Sequence, residues 1–234
     1  MRHKIIVTGA SRGIGRALSL YLTLERNCDV LAISRDEEML ESLCESGKGH
    51  IHSIAADLTN RGSYIRIQEW ISTHWLGELD VLINNAGALV SKPFREMDEQ
   101  DFDLCVDVNY KSVYFFSQAM LSNLEKGKLK HILNIGSIGG VQGSSKFAGL
   151  SVYSSSKGAL AILSECMAEE LSIDEISVNC LALGSVQTEM LTMAFPGYKA
   201  QLESWEMGKM IGDISLDWAG KVSGKVVSIG KVGV

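Results

Sequence analysis

Apolar residues follow two different spacings along this chain. Short runs rich in β-branched residues alternate with longer segments in which apolar residues recur every three or four positions. The first pattern predicts buried strands and the second amphipathic helices. Strands that alternate with helices favour right-handed βαβ units and a parallel sheet. The predicted strands are 4–8, 29–34, 50–58, 80–87, 131–137, 176–183 and 224–229, and the predicted helices are 13–25, 36–46, 63–75, 101–124 and 153–171.

No repeat, low-complexity tract or linker interrupts this alternation, and the whole chain holds two prolines. A length of 234 residues suits one α/β domain. We therefore predict a single Rossmann-like domain over residues 1–234. Its fold would be a doubly wound α/β sheet of about seven parallel strands with helices on both faces.

Charge and cysteine content narrow the classes of partner and compartment. The formal net charge is -6, which argues against binding to nucleic acid or to an anionic membrane surface. Five cysteines, with no CxxC among them, predict reduced thiols rather than a disulfide framework or zinc site. No signal-peptide pattern precedes the first strand and no apolar run is long enough to span a bilayer. These features predict a cytoplasmic protein.

A glycine-rich loop, VTGASRGIG (7–15), follows the first strand and opens the first helix. Glycines allow close backbone approach, and the N–H groups at a helix N-terminus can bind a pyrophosphate. The spacing TGxxxGxG differs from the more common GxGxxG. On spacing alone, an ordinary turn between strand and helix remains the alternative.

The second strand ends in AISRDEE, which places Arg35 directly after it. In a dinucleotide-binding sheet a carboxylate at this point binds the ribose 2′-hydroxyl of NAD, whereas an arginine suits the 2′-phosphate of NADP. Arg12, in the glycine loop, offers a second guanidinium to the same phosphate. We interpret the pair as favouring NADP(H) over NAD(H). The alternative is that Arg35 is a solvated loop residue and Asp36 caps the next helix.

Four polar residues form a candidate proton-handling set. Tyr153 and Lys157, in SVYSSSKGAL (151–160), lie four positions apart and would face one side of a helix. Ser137 follows the fifth predicted strand, and Asn109 lies within the helix before it. Each alone has an ordinary structural interpretation, but carboxyl ends of parallel strands meet at one crevice. There Tyr153 could donate a proton, and a neighbouring ammonium would lower the pKa of its phenol.

These motifs, together with NNAG (84–87), resemble the short-chain dehydrogenase/reductase family from residue 4 to about residue 190. The resemblance extends to 3-oxoacyl-(acyl-carrier-protein) reductase-like members. It implies Tyr153 as the acid/base, Ser137 as the group that positions the carbonyl, Lys157 as pKa modifier and ribose ligand, and Asn109 as a water-linked relay. The implied cofactor-binding residues are Gly9, Ser11, Arg12, Gly13, Ile14, Gly15, Arg35, Asp57, Leu58, Asn85, Ala86, Gly87, Tyr153, Lys157, Gly184, Val186 and Thr188.

The function that this resemblance implies is hydride transfer between NADP(H) and a small carbonyl or secondary alcohol substrate, with a 3-oxoacyl thioester as one candidate. It also implies a homodimer or homotetramer. The alternative is a dinucleotide-binding regulator or sensor on the same fold without turnover. Such a sensor needs no proton donor, so the intact tyrosine–lysine set argues against it.

Four features depart from the family pattern or stay ambiguous. Leu183 stands before Gly184 where the family has proline, and an Asp-Gly-Gly tail is absent. A methionine-rich stretch, 190–210, lies in the expected substrate lid at about 188–212. It predicts either an adaptable pocket wall or ordinary helix packing. His50 and His52 share a strand face, but no third ligand is evident, so no metal site is predicted.

Overall fold

The computed structural model describes residues 2–230. The end of the chain, where we predicted that a family tail is missing, falls in part on residues 231–234, outside the described residues. The strands are β1 His3–Thr8, β2 Cys28–Ser34, β3 Ile51–Ala55, β4 Val81–Asn84, β5 His131–Ser137, β6 Ser177–Leu183, β7 Val186–Gln187, β8 Leu202–Glu203 and β9 Lys225–Ile229. The helices are α1 Gly13–Leu24, α2 Glu37–Ser46, α3 Gly62–Trp75, α4 Glu99–Val106, α5 Ser112–Leu124, α6 Ser151–Glu170, α7 Glu189–Ala194 and α8 Ser204–Asp217.

Seven strands form one parallel sheet in the order β3-β2-β1-β4-β5-β6-β9. Helices cover both faces, so the strands are apolar on both sides. Ile5 and Val7 of β1 pack into one core layer and Ile6 into the other, and all three are fully buried. The predicted fold class is confirmed. The strand order reverses direction between β1 and β4, and ligands bind at the carboxyl ends beside such a switch point.

The helix predicted over 101–124 is not regular. It begins at Glu99, where the Asp98 side chain caps it by accepting from Asp101 N at 2.8 Å. Its middle, Asp107–Lys111, forms a π-helical turn that separates α4 from α5. Such a turn inserts one extra residue into the helical path and is frequent at functional sites. It carries Asn109, which is fully buried.

Two predicted strands are shorter than expected. β3 ends at Ala55 and β4 ends at Asn84, so the residues that follow leave the sheet and turn over its carboxyl edge. Asp57 does not cap the next helix, because Arg61 is the N-cap residue of α3. Asp57 instead accepts from the backbone and the hydroxyl of Thr59, at 2.9 and 2.8 Å, in a local turn.

Helix α8 packs against α1 through two glycines. An added Cβ would lie 2.8 Å from Leu18 N at Gly208 and 2.6 Å from the Tyr21 ring at Gly212. The Tyr21 hydroxyl also donates to Asp213 at 2.6 Å. The last part of the predicted lid segment, 188–212, therefore belongs to this helix pair, and the lid itself stays a prediction.

The helix-packing interpretation of the methionine-rich stretch holds for its last part, and the pocket-wall interpretation stays a prediction for the rest. Met207 is fully buried against the core beneath α8, as helix packing requires. Met193, on α7, leaves 75% of its surface exposed. Only the portion before residue 204 remains available as a wall for a ligand.

We expect Gly208→Ala to destabilise the protein by about 2 kcal/mol, because its methyl group must displace the Leu18 backbone. Without that contact, alanine inside a helix would be the more stable residue by about 1 kcal/mol. Urea unfolding measures the difference, and Met210→Ala on the more exposed side of α8 is the control. A neutral or stabilising Gly208→Ala would show that the two helices are not in contact as described.

The predictions on membrane spans, metal sites and oligomeric state can each be compared with the structure only in part. Within residues 2–230, no helix is long and apolar enough to cross a membrane, and no group of three or more potential ligands could hold a metal ion. His50 is paired with Asp29 at 2.8 Å, whereas His52 lies 5.2 Å from the Trp70 ring. The predicted homo-oligomer stays a prediction, although α5 and α6 leave large apolar side chains such as Tyr114 and Ile162 exposed.

Candidate active site

The glycine loop between β1 and α1 lies directly against the end of β4. Gly9 has a φ of +65°, and a Cβ there would lie 2.8 Å from the Ala86 Cα. A Cβ on Gly15 would lie 2.3 Å from Gly9 O and 2.6 Å from Asn85 Nδ2. Only glycine fits at these two positions without displacing backbone. This close packing fixes the loop at the N-terminus of α1, where Arg12 provides no side-chain cap.

Two side chains fasten this loop to β4. The Thr8 hydroxyl accepts from Asn85 N and Ala86 N, both at 2.9 Å. The Asn85 side chain donates to Thr8 O at 2.9 Å and to Gly9 O at 3.3 Å. The carboxamide of Asn85 thus holds the glycine loop in place, a role that the sequence analysis did not assign to it. Thr8 was not singled out, although it is the first residue of the T-G pair.

The predicted phosphate-binding arginines differ in their surroundings. Arg12 donates to the carboxylates of Asp36, at 2.5 Å, and Glu189, at 3.0 Å. Asp36 also caps α2 by accepting from Met39 N at 3.2 Å, as the alternative interpretation expected. Arg35 is exposed, and within the described part of the chain it makes no hydrogen bond or ion pair. Arg35 is therefore the more available of the two cations.

Ser11 joins the glycine loop to the end of β2. The Ser34 hydroxyl donates to the Ser11 hydroxyl at 2.8 Å, and Ser11 is almost fully buried. Because Arg35 follows Ser34 directly, this bond anchors the backbone next to Arg35 to the glycine loop. Ile14, in the first turn of α1, is half-buried against the core.

Tyr153 and Ser137 meet above the end of β5. The Ser137 hydroxyl accepts from Gly139 N at 3.2 Å and lies close enough to the Tyr153 phenol to influence its pKa. Burial raises the pKa of Tyr153 above its ordinary value, and the neighbouring Ser137 hydroxyl opposes that rise. Desolvation is the largest effect on this phenol, and the expectation that Lys157 lowers its pKa stays a prediction.

Lys157 lies one helical turn after Tyr153 and is almost fully buried. Its ammonium donates to Ile135 O on β5 at 2.8 Å. Burial lowers the pKa of Lys157 to about 8, because the charged form loses its hydration. At neutral pH the group still carries its proton, so a cation stands beneath the site.

Asn109 is held by three hydrogen bonds. Its Oδ1 accepts from Ala88 N at 2.8 Å, and its Nδ2 donates to Ala88 O at 2.8 Å and to the Ser156 hydroxyl at 3.0 Å. A Cβ added to Gly87 would lie 3.3 Å from Asn109 Oδ1 and 3.6 Å from Lys157 Nζ. Asn109 and Lys157 therefore border the same small space beside Gly87.

A buried polar network below the site was missed by the sequence analysis. Asn84 donates to Asn134 at 2.8 Å and to the Ser117 hydroxyl at 3.0 Å, and Asn134 donates to the Ser164 hydroxyl at 2.9 Å. These side chains are at most 2% exposed and connect β4 and β5 with α5 and α6. Satisfied buried amides of this kind fix the relative positions of the elements that carry them. The signal in the sequence was an asparagine inside each of two otherwise apolar strands.

A second contact that sequence reasoning missed positions the helix of Tyr153 and Lys157. A Cβ on Gly140 would lie 2.6 Å from both Gly158 N and the Lys157 carbonyl carbon. The two glycines therefore let the turn after β5 touch the backbone of α6. This contact fixes how closely α6 approaches the end of β5, which carries Ser137.

The remaining predicted residues lie around the same edge of the sheet. Thr188 caps α7 by accepting from Leu191 N at 3.1 Å, and its methyl group would be 3.5 Å from a Cβ on Gly13. Gly184 and Val186 lie between β6 and α7, and Gly184 N donates to Ile229 O at 2.8 Å. Leu58 is partly buried, beyond the end of β3. The structure thus brings the loops after β1, β4, β5 and β6 together, with those after β2 and β3 at their side.

Comparison with known proteins gives the same picture. The family model described as short chain dehydrogenase matches residues 3–199. The chain belongs to the short-chain dehydrogenase family. A 3-oxoacyl-(acyl-carrier-protein) reductase FabG of Chlamydia pneumoniae is 31% identical over 212 residues, which cover 88% of this chain and 83% of the relative. The enzyme of the same name from Haemophilus influenzae is 29% identical, covering 98% of this chain and 97% of the relative.

A solved short-chain dehydrogenase/reductase mutant of Serratia marcescens superposes with a TM-score of 0.85 at 27% identity, covering 97% of this chain and 96% of the other. Membership of the short-chain dehydrogenase family makes the protein an oxidoreductase that acts on CH–OH or C=O groups with a nicotinamide cofactor. It acts on small molecules.

Proposed function

We propose that the protein is an NADP(H)-dependent reductase of ketones, working reversibly on the matching secondary alcohols, with Ser137, Tyr153 and Lys157 as catalytic residues. The observation that carries this proposal is the placement of the Tyr153 phenol near the Ser137 hydroxyl, one helical turn before the buried ammonium of Lys157 that donates to Ile135 O on β5. A module that only binds a dinucleotide has no use for a proton donor beside a buried cation.

The residues around the glycine loop fit a dinucleotide. The loop has backbone packed too closely for any side chain at Gly15, and it leaves the first N–H groups of α1 without a side-chain cap. Such groups, with the positive end of the helix dipole, suit a pyrophosphate. When bound, the nicotinamide supplies the hydride. Gly9, Gly13 and Gly15 would hold the pyrophosphate, and Lys157 the nicotinamide ribose.

The proton chemistry follows from the two hydroxyls and the lysine. Ser137 can donate to a substrate carbonyl oxygen and hold it beside Tyr153. As negative charge develops on that oxygen, Tyr153 gives it the phenolic proton. The raised pKa of Tyr153 keeps the phenol protonated at neutral pH, ready for reduction. Lys157, still cationic at neutral pH, stabilises the phenolate that remains.

The preference for NADP(H) is supported by the exposed guanidinium of Arg35 at the end of β2. No carboxylate occupies that first position after the strand, since Asp36 follows it and is engaged with Arg12 and Met39 N. A planar guanidinium can bind a 2′-phosphate through two charge-assisted hydrogen bonds. Arg12 would join it by exchanging the Asp36 carboxylate for the phosphate.

Arg35→Asp should weaken NADPH binding by about tenfold or more, whereas NADH affinity should change little, because a charged hydrogen-bonded contact is worth about 1.5–3 kcal/mol. Titration of cofactor fluorescence measures both dissociation constants. Arg66→Asp, an exposed site on α3, is the charge-matched control. Equal losses for the two cofactors, or tighter binding of NADH than NADPH by the wild type, would remove the 2′-phosphate role.

For the substrate we propose a 3-oxoacyl thioester as the first compound to test, because the two named reductases cover most of this chain. Met193, Phe147 and Phe195 would offer apolar contact to an acyl chain. Met193 and Phe147 are exposed, and the ring centroids of Phe147 and Phe195 lie 6.4 Å apart. The measurement is NADPH oxidation with 3-oxoacyl thioesters beside unrelated ketones. Turnover of other ketones without any of the thioesters would reject this substrate while leaving the reductase proposal intact.

A further inference from the structure

We propose that Ser156 is a positioning residue that couples Asn109 to the helix carrying Tyr153 and Lys157. Three serines separate that tyrosine and lysine, and the proposed function uses none of them. The inference rests on the proposed function, because its consequence is read in the proton chemistry of Tyr153 and Lys157.

Ser156 differs from its neighbours in what its hydroxyl contacts. It is 4% exposed, it donates to Tyr153 O at 2.8 Å and it accepts from Asn109 Nδ2 at 3.0 Å. Ser155, by contrast, is exposed, and its hydroxyl donates only within the helix, to Val152 O at 3.0 Å. Ser156 thus links α6 with the π-helical turn, and Ser155 does not.

The hydrogen-bonding capacity of the Asn109 carboxamide explains why this link matters. The N–H of Ala88 can only bind the oxygen, so the orientation of the amide is fixed. Both amide protons are then used, one on Ala88 O and one on Ser156. One lone pair of Oδ1 remains, and it borders the space beside Gly87 that Lys157 Nζ also borders. Ser156 is the only one of these partners that moves with α6.

Removing the Ser156 hydroxyl leaves an N–H of the fully buried Asn109 side chain without its partner. The π-helical turn and α6 then lose the side-chain hydrogen bond between Asn109 and Ser156, while the apolar packing of Tyr110 against α6 remains. We expect the oxygen of Asn109 to lose its fixed placement relative to Lys157. Small displacements of positioning groups lower the rate of the chemical step more than they weaken binding.

The test uses Ser156→Ala, Ser156→Cys, which keeps the size but provides a weak acceptor, and Ser155→Ala as the matched control. We expect both Ser156 variants to lose roughly tenfold in kcat, with KM and the NADPH dissociation constant changed less than about twofold. Ser155→Ala should match the wild type. A Ser156→Cys enzyme with wild-type kcat, or a Ser155→Ala enzyme that loses as much, would overturn the proposal.

A double-mutant cycle with Asn109→Ala shows whether Ser156 acts through Asn109. The double variant should be no slower than Asn109→Ala alone, whereas independent, additive losses would overturn the proposal. Hydrogen exchange of segment 107–111, faster in Ser156→Cys but not in Ser155→Ala, gives a readout that needs no substrate. Unchanged exchange would also overturn it. Failure of the proposed function shows separately, as a Tyr153→Phe enzyme with wild-type turnover.

Discussion

Tyr153→Phe should lower kcat/KM for ketone reduction by a factor on the order of 10³, since a positioned general acid contributes about 10²–10⁴ to the rate. The phenol lies near the Ser137 hydroxyl, and its raised pKa keeps it protonated at neutral pH. Phenylalanine keeps the ring and its packing but has no proton to give. Stopped-flow or steady-state oxidation of NADPH with each active ketone measures the loss.

The NADPH dissociation constant is the control for Tyr153→Phe, and it should change little because the glycine loop and Arg35 are untouched. Tyr110→Phe removes a phenolic hydroxyl from the π-helical turn and should leave the rate near wild type. A Tyr153→Phe enzyme that reduces ketones at the wild-type rate would reject the catalytic assignment. A wild type that binds NADPH but turns over no ketone or alcohol would favour the sensor alternative.

The sheet was predictable from sequence because its signals are local. β-branched runs such as residues 4–8 and 29–34 bury both faces, so they stand out against the amphipathic helices between them. The order of strands could not be derived from any one run. The order depends on the rule that crossovers between parallel strands are right-handed. That rule can be applied only once the whole alternation of strands and helices is known.

The candidate site was predictable where residue type and spacing indicate a role. It was not predictable where the role depends on a contact formed only in the fold. Tyr153 and Lys157 carry a spacing that can be read, and Arg35 occupies a readable place after a strand. Ser156 looks identical to Ser155 in sequence, and only the π-helical turn under it distinguishes them. That turn has no signature in the apolar pattern, because one inserted residue shifts the helical face only locally.

The direction of the net Tyr153 pKa shift could not be predicted from the sequence for a related reason. Spacing brings an ammonium near the phenol, but it says nothing of how much water each group loses. Desolvation is a property of the assembled site, and it raises the pKa of Tyr153 while lowering that of Lys157. Both shifts favour the neutral forms, which is what burial of two ionisable groups in one crevice requires.

The histidine that begins β5 should make the protein sensitive to mild acid. His131 is fully buried, its Nδ1 donates to Ser215 O on α8 at 2.8 Å, and its Nε2 accepts from Asn179 Nδ2 at 3.1 Å. Both ring nitrogens are thus used by the neutral form. Burial lowers the pKa of His131 to about 4, against the ordinary 6.5 of the unfolded chain.

Because the folded-state pKa of His131 is the lower one, the unfolded state binds the extra proton first. The stability that the neutral imidazole contributes is therefore fully present above about pH 6.5 and is lost as the pH falls towards 4. A difference of about 2.5 pKa units corresponds to roughly 3 kcal/mol, of which about 2 kcal/mol is lost by pH 5. Urea unfolding at pH 7.5 and pH 5 measures this contribution.

His131→Asn isolates the effect, because asparagine can keep the bond to Ser215 O but cannot take up a proton. Its unfolding free energy should fall less than that of the wild type between pH 7.5 and 5, by about 2 kcal/mol. Burial also lowers the pKa of His52, but that contribution is present in both proteins and cancels in the comparison. His74→Asn, at an exposed histidine on α3, should keep the wild-type pH dependence. If His131→Asn and the wild type lose stability in parallel, His131 is not the buried neutral group that links β5 to α8.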